Sequence, residues 1–230
     1  NKGRLWIALH GYGLSRYDPR TDDFTNFSYS QGIFEHEWTN NAEQVIIAPD
    51  QSVYLICQMV IVHIDTSDNV TTVHSVDPNS EEGSPSNFRF AHMHGNRWIW
   101  FTSSKGLRRY DILKDAWEYP GHNPEGQSIF NTEWGCSGAG YGNGILYFGT
   151  YWRNDQLGYR QLYSYDIEAD RLDSVEIAPE LPKDDPFCDK LHDIEVATDG
   201  TVWMGTDDIG ILKYYPGSGS WHQYANNGDW

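Results

Sequence analysis

No run of 18 apolar residues occurs in the chain, so no segment reads as a membrane-spanning helix. The longest apolar stretch, residues 59–62 with their neighbours, is the size of a strand. Basic side chains are scarce: 16 Lys and Arg, only six of them Lys, stand against 33 Asp and Glu, for a net charge of −17. That balance excludes a general nucleic-acid binder, which needs a basic footprint against phosphate. It also disfavours anionic membranes and polyanionic glycans, unless a local basic patch or a bound cation reverses the sign. The three cysteines, Cys57, Cys136 and Cys188, have no CxxC spacing and allow at most one internal disulfide. Buried or free thiols are the simpler reading. There is no GxSxG elbow, no Walker loop and no GxGxxG that follows a strand and opens a helix. The acidic clusters at 77–83 and 183–186 lack EF-hand spacing, which leaves at most a loosely bound calcium ion and implies no other cofactor. The chain begins at Asn1 without a signal-peptide pattern and reads as processed or as a fragment.

Aromatic residues, by contrast, are plentiful. They make up 15% of the chain, with 10 Trp and 15 Tyr, too many for a disordered acidic chain. They recur in register. GRLWIALHGYGLSRYDPRTDDF at 3–24, GNRWIWFTSSKGLRRYDILKDAW at 95–117 and GTVWMGTDDIGILKYYPGSGSW at 200–221 are copies of one pattern. A fourth copy, GILYFGT at 144–150, resumes as QLYSYDIEADRL at 161–172, and a weaker fifth is QSVYLICQMVIVHIDTSDNV at 51–70. The anchors Tyr17, Ile64, Tyr110, Tyr165 and Tyr214 are each followed six or seven residues later by Phe24, Val70, Trp117, Leu172 and Trp221. Such a constant interval is what a recurring hairpin turn produces.

Each unit reads as four short strands in about 46 residues, the pattern of an all-β propeller blade. The expected fold is a β-propeller of four-stranded antiparallel blades, a single domain or propeller fragment over 1–230. Its units fall at about 1–27, 42–74, 88–119, 135–177 and 192–224. The first unit lacks an innermost strand. Two arrangements follow: a five-bladed ring closed by strands from both ends, or a five-unit piece of a longer propeller, and the second is preferred.

DGTVWMGT with GILKYYP at 199–216, and GRLWIALHGYGLSRYDP at 3–19, resemble the two-component-regulator propeller repeat. The resemblance covers all five units. It is close in the first and last, fair in the third and fourth, and poor in the second. It implies a periplasmic or extracellular sensor propeller of the kind found in bacterial hybrid histidine kinases and diguanylate cyclases. Related propellers include polysaccharide lyases.

Propeller topology puts the blade-connecting loops on one face with the loops between second and third strands. The turns of the opposite face, such as 18–23, 111–116 and 166–171, are short and uniform, and their Asp residues read as turn formers. The connecting loops at 28–42, 75–87, 119–135 and 178–192 are long, and residues 150–161 read as an expanded loop on the same face. Long loops on a rigid scaffold indicate a binding face. Two of them share a pattern 96 residues apart: Ile33/Ile129, Phe34/Phe130, Glu37/Glu133 and Trp38/Trp134. Phe34 and Phe130 are expected in the core. An aromatic ring beside a carboxylate suits a sugar, because the ring stacks on its apolar face and the carboxylate accepts its hydroxyl hydrogens. The alternative is that Trp38 and Trp134 wedge between blades. The candidate ligand-binding residues are Tyr12, His36, Glu37, Trp38, Glu133, Trp134, Tyr151, Trp152, Arg153 and His192. His92 and His94 point the same way on a strand, but no third metal ligand is evident.

The preferred function is a non-catalytic sensor propeller recognising a carbohydrate or other small ligand. Two alternatives are a propeller polysaccharide lyase or glycoside hydrolase, and a protein-interaction scaffold. Only Arg153, Arg160, Lys183 and Lys190 lie in the long loops, which weakens a uronate lyase. Expected partners are a small-molecule or carbohydrate ligand and a protein or signalling region outside this sequence. Neither nucleic acid nor membrane insertion is expected.

Overall fold

The computed structural model describes residues 3–57, 60–74, 88–103, 106–131, 134–153, 156–175, 191–206 and 210–224. For some of these only the backbone is described, among them Trp38, Trp134, Tyr151, Trp152, Arg153 and His192. The chain is all-β. The first sheet is three-stranded: β1 (Leu5–Leu9), β2 (Gly13–Asp18) and β3 (Asp23–Phe27). Four four-stranded sheets follow. They are β4 (Ala42–Ile47) to β7 (Val70–His74), with β5 (Val53–Cys57) and β6 (Val60–Ile64) between; β8 (Phe88–His94), β9 (Trp98–Ser103), β10 (Gly106–Asp111) and β11 (Ala116–Glu118); β12 (Trp134–Gly142), β13 (Ile145–Arg153), β14 (Gln156–Asp166) and β15 (Arg171–Val175); and β16 (Leu191–Val196), β17 (Val202–Thr206), β18 (Ile211–Tyr215) and β19 (Ser220–Tyr224). In each sheet the strands lie in chain order.

The chain divides into two compact units, residues 1–101 with 109–117, and 102–108 with 118–230. In the first, Leu14 and Phe27 pack with Val53, Leu55 and Val62, joining the first sheet to the second. Ile56 and Ile61, on the other face of the second sheet, pack with Ala91, Ile99 and Phe101 of the third. In the second unit, Tyr147 and Leu162 pack with Ile194, Met204 and Leu212. Alternate residues of one strand therefore serve opposite neighbours, as the twofold period of a strand requires.

The outer hairpins explain the repeated sequence. The anchors pair across the turn as expected: Tyr17 with Phe24, Ile64 with Val70, Tyr165 with Leu172 and Tyr214 with Trp221. The last residue of the turn has positive φ: Asp22 at 59°, Asp68 at 67°, Asp115 at 51°, Asp170 at 48° and Gly219 at 69°. Asp tolerates that region better than most residues. Here it gains a partner as well, because the anchor Tyr hydroxyl donates to it: Tyr17 to Asp22 at 2.8 Å, Tyr110 to Asp115 at 2.6 Å and Tyr165 to Asp170 at 2.7 Å. In the first four sheets the Asp that opens the turn accepts backbone N–H groups, Asp18 from Arg20, Asp65 from Ser67, Asp111 from Leu113 and Asp166 from Ala169, whereas Tyr215 holds that place in the fifth. These carboxylates are turn formers, as their positions imply.

In the second sheet Ile64 replaces the anchor Tyr, and Asp68 has another role. It accepts from Arg16 of the first sheet, whose guanidinium carbon lies 5.3 Å from the Trp6 ring centre and 5.4 Å from that of Phe27. Arg16 is 9% exposed, so this cation is buried between aromatic rings and neutralised from the next blade.

Candidate functional site

In the first unit the hairpin between β1 and β2 turns tightly over residues 10–13. The Tyr12 N–H donates to the Leu9 carbonyl at 2.9 Å. Gly13 has φ 87°, and a Cβ there would stand 2.4 Å from the Phe27 carbonyl oxygen, so only glycine fits. Tyr12 projects from this tip and is 77% exposed. The connecting loop reaches the same tip. His10 pairs with Asn41 in an isolated antiparallel bridge, and the Asn40 side chain accepts the Tyr29 N–H at 3.0 Å. Phe34, 3% exposed, pins the loop into the core between the sheets. That leaves His36 and Glu37 exposed, with Glu37 opening a 3₁₀ turn, Glu37–Asn40, that also holds Trp38. The expected sharing of one face by connecting loop and second-to-third-strand hairpin is therefore seen here. Tyr12, His36 and Glu37 belong to one loop cluster, held from below by an apolar anchor.

In the second unit Phe130 is buried, as expected, and so is Ile129 beside it. The two similar loops nevertheless fold differently. The second has its 3₁₀ turn at Ser128–Asn131, and Trp134 begins β12 instead of lying in a turn. Glu133 lies outside the described residues. Residues 150–161, read above as an irregular loop, are instead a strand extension. β13 runs on to Arg153 and β14 starts at Gln156, with Trp152 opposite Leu157 and Arg153 opposite Gln156. The run Thr-Tyr-Trp has high β propensity and so prolongs the ladder. Trp134 is the direct cross-strand partner of Arg153, and Gly135 that of Trp152. The fold thus gathers Trp134, Tyr151, Trp152 and Arg153 at one end of the fourth sheet.

His192 is likewise in a strand and not in the preceding loop. It lies in β16 where the register slips between Leu191 and Asp193. β4 has the same irregularity between Ala42 and Gln44, and β12 has one between Cys136 and Ala139. These bulges open the innermost strands on the long-loop side and re-aim side chains there. The sequence reading missed Glu43, the bulged residue of β4, which stands 4.0 Å from His10 Nδ1. A bulge has no signature in a single sequence.

Among the described residues, no three His, Cys, Asp or Glu come together as metal ligands. His94 stacks on Trp98, with ring centres 6.0 Å apart. Burial, with His94 nearby, holds the His92 pKa down at about 4. Cys57 and Cys136 are free and buried; Cys188 lies outside the described residues. Burial pushes the Cys57 thiol up to about 12 and raises Cys136 as well, so neither is a ready nucleophile.

His92 gives a pH prediction. Its folded pKa lies below the unfolded value near 6.5, so the unfolded chain binds the extra proton first. Stability that is full above about pH 6.5 is then lost as pH falls toward about 4. Asp50, Asp65, Asp111 and Asp199 are held below the ordinary carboxylate range, mainly by hydrogen bonds to their charged forms, and add a second loss below about pH 4. Melting temperature should therefore fall in two stages on acidification. His63, whose pKa burial also lowers, shares the upper stage, so His92→Gln should shrink that stage without abolishing it and leave the lower one.

Described residues of the second unit also line cavities of about 480 Å³ and about 470 Å³ on the side of the short turns. The larger lies among the turns at Asn143, Gly200 and Gly217; the other lies beside Ser164, Val175 and Gly219. The two share Ile145, Tyr147 and Pro216. The short-turn face, which reads as structural in the sequence, is thus also concave.

No protein-family model matches the sequence, and no curated protein matches it. Solved structures do match. Virginiamycin B lyase from Staphylococcus aureus is 17% identical with a TM-score of 0.66, over 98% of this chain and 67% of its own. The extracellular domain of a putative hybrid two-component system from B. thetaiotaomicron is 13% identical with a TM-score of 0.64, over 98% and 27%. PorZ, a surface component of the type-IX secretion system of Porphyromonas gingivalis, is 12% identical with a TM-score of 0.65, over 96% and 26%. The chain thus spans about two thirds of the lyase and about a quarter of the other two. At these identities the likeness establishes the fold: the chain is a β-propeller, similar in structure to the extracellular domain of a putative hybrid two-component system and to a lyase.

Proposed function

We propose that this propeller is an extracytoplasmic, non-catalytic binding module that recognises a carbohydrate on its long-loop face. The observation that carries the proposal is the loop cluster of the first unit. There an exposed Tyr12 ring and the exposed Glu37 carboxylate rise from a hairpin and a connecting loop bridged to each other and anchored by Phe34. Ordered loops on a rigid sheet spend little entropy on binding. An aromatic ring and a carboxylate are the groups a neutral pyranose needs. In the second unit, backbone pairing brings Trp134, Trp152 and Arg153 together at one end of the fourth sheet. The structural likeness to the extracellular domain of a putative hybrid two-component system supports a periplasmic or extracellular setting, as does the excess of carboxylates. Among the described residues no helix is long and apolar enough to cross a membrane. A signalling partner outside this sequence would read the bound state.

The test is a thermal-unfolding screen against neutral and acidic oligosaccharides, with product analysis of the same samples. A ligand at 100 times its Kd stabilises the folded state by about 2.7 kcal/mol, which for a chain of this size raises the midpoint by roughly 5–10 °C. The expected result is such a shift with the sugar recovered intact, and its loss in Tyr12→Ala/Glu37→Gln. Cleaved sugar would replace this reading with the enzymatic one. A panel without any shift would count against a carbohydrate ligand and favour a protein partner.

A further inference from the structure

The repeat allows one blade seam to be compared with another, position by position. In the first sheet Trp6 pairs with Arg16, and Leu14 with Phe27. The same register positions in the fourth sheet hold Tyr147 opposite Ser164, and Leu162 opposite Val175. The turn position of Asp68 in the second sheet is that of Gly219 in the fifth. Between the first two sheets, Trp6, Arg16 and Phe27 fill the space and Asp68 closes it. Between the fourth and fifth, every one of those side chains is smaller, and the cavity of about 470 Å³ lies there, bounded by Tyr147, Ser164, Val175 and Gly219.

A packed interior leaves few voids, and an unfilled one costs stability. This hollow stands at register positions that are filled in the seam between the first two sheets. It has the volume of a small-molecule site. We propose that it is a second ligand site, on the short-turn side and separate from the long-loop face, and that it takes a neutral pyranose-sized ring. The lining selects that class. Tyr147, Tyr214 and Val175 offer rings and apolar surface to the C–H face of a sugar. Ser164 and Asp173 offer hydroxyl and carboxylate oxygens to its edge. Arg171, the cation at the rim, is held by Asp173 at 2.9 Å, so an anionic guest meets no excess positive charge. The neighbouring cavity of about 480 Å³ continues past Tyr147 and Pro216 and would admit a second unit of a chain.

The repeat itself supplies the test. Ser164→Arg/Gly219→Asp rebuilds the ion pair of the first seam. Asp suits position 219, whose φ of 69° lies close to the values Asp adopts at that turn position in the other four sheets. Val175→Phe alone restores the ring of Phe27. Glucose, N-acetylglucosamine and cellobiose are the probes, read by ligand-observed NMR at millimolar concentration. At least one is expected to bind the wild-type chain. In the Tyr12→Ala/Glu37→Gln background, where the long-loop site is removed, binding should remain, and it should fall about tenfold or more when either filling change is added, the scale of a lost side-chain contact. Ser164→Arg/Gly219→Asp should also melt higher. If it fails to fold, Val175→Phe decides alone. Unchanged binding in a folded filled variant of that background would overturn the proposal, as would no binding of any of the three probes. Loss of binding in Tyr12→Ala/Glu37→Gln alone would overturn this site while upholding the long-loop face.

Discussion

Replacing Gly140 with Ala should cost about 3 kcal/mol or more and lower the melting temperature by roughly 10 °C. Gly140 lies in the innermost strand β12, which packs against β16. A Cβ at this position would stand 2.3 Å from the Ile194 carbonyl oxygen and 2.8 Å from its carbon. Those atoms are backbone, so no rotamer change relieves the clash, and the two sheets must separate. The separation would loosen Ile194, Met204 and Leu212 from Tyr147 and Leu162, so the damage extends past one contact. Gly142 repeats the arrangement against Val196, with the Cβ 2.5 Å from Cγ1. The control is Gly205→Ala in β17, where no atom lies within 4 Å of the added carbon; it should shift stability by less than about 0.5 kcal/mol. Thermal and urea denaturation of the three proteins measures the difference. Equal stability for Gly140→Ala and Gly205→Ala would refute the close approach of the strands.

The second large effect is expected at Asp111. Its side chain is fully buried, and it accepts from Arg97 Nε at 2.9 Å and Nη2 at 2.7 Å and from the Leu113 N–H at 3.0 Å and the Lys114 N–H at 3.2 Å. Burial alone would raise its pKa. Arg97 and the turn N–H groups outweigh burial, and the carboxyl is held below its ordinary value. Asp111→Ala strips two turn donors and a guanidinium of their acceptor and should cost about 2–3 kcal/mol. Asp111→Asn keeps one oxygen and should cost clearly less. Asp18 holds the corresponding place in the first sheet, accepting from Arg4 at 3.1 Å, but its side chain is partly exposed, so Asp18→Ala should cost less than Asp111→Ala. The denaturation midpoints of the variants rank these losses. A reversed order would mean that burial is not what gives Asp111 its weight.

Much of the fold was legible in the chain because the repeat exposes it. The interval from Tyr17 to Phe24, repeated from Tyr165 to Leu172 and from Tyr214 to Trp221, is a cross-strand pair at a hairpin, and the structure pairs those residues. The burial of Phe34 and Phe130 was legible too, since each stands in a loop that must be tied to a core. The candidate site was harder to read. Residues 150–161 look like a loop because they interrupt the repeat, yet an inserted segment rich in β-formers extends its own hairpin, with one shift of register between Thr150 and Trp152. Ile33 to Trp38 and Ile129 to Trp134 share residues but not conformation, because Trp134 is drawn into β12 while Trp38 is held in a 3₁₀ turn. The bulge at Glu43 was invisible, since a bulge depends on the register of the partner strand. The hollow seam depends on Ser164 and Gly219 meeting from positions 55 residues apart, and only the fold shows that their larger counterparts, Arg16 and Asp68, fill the same place elsewhere.

The central claim is that the long-loop face carries the recognition site. Hydrogen–deuterium exchange resolved along the chain tests it most directly, using the oligosaccharide that gives the largest thermal shift. The account predicts slowed exchange on binding in segments 10–13 and 28–41, with the sugar recovered unchanged. Protection confined to the opposite side, at the turns around Asn143, Gly200 and Gly217, would contradict it.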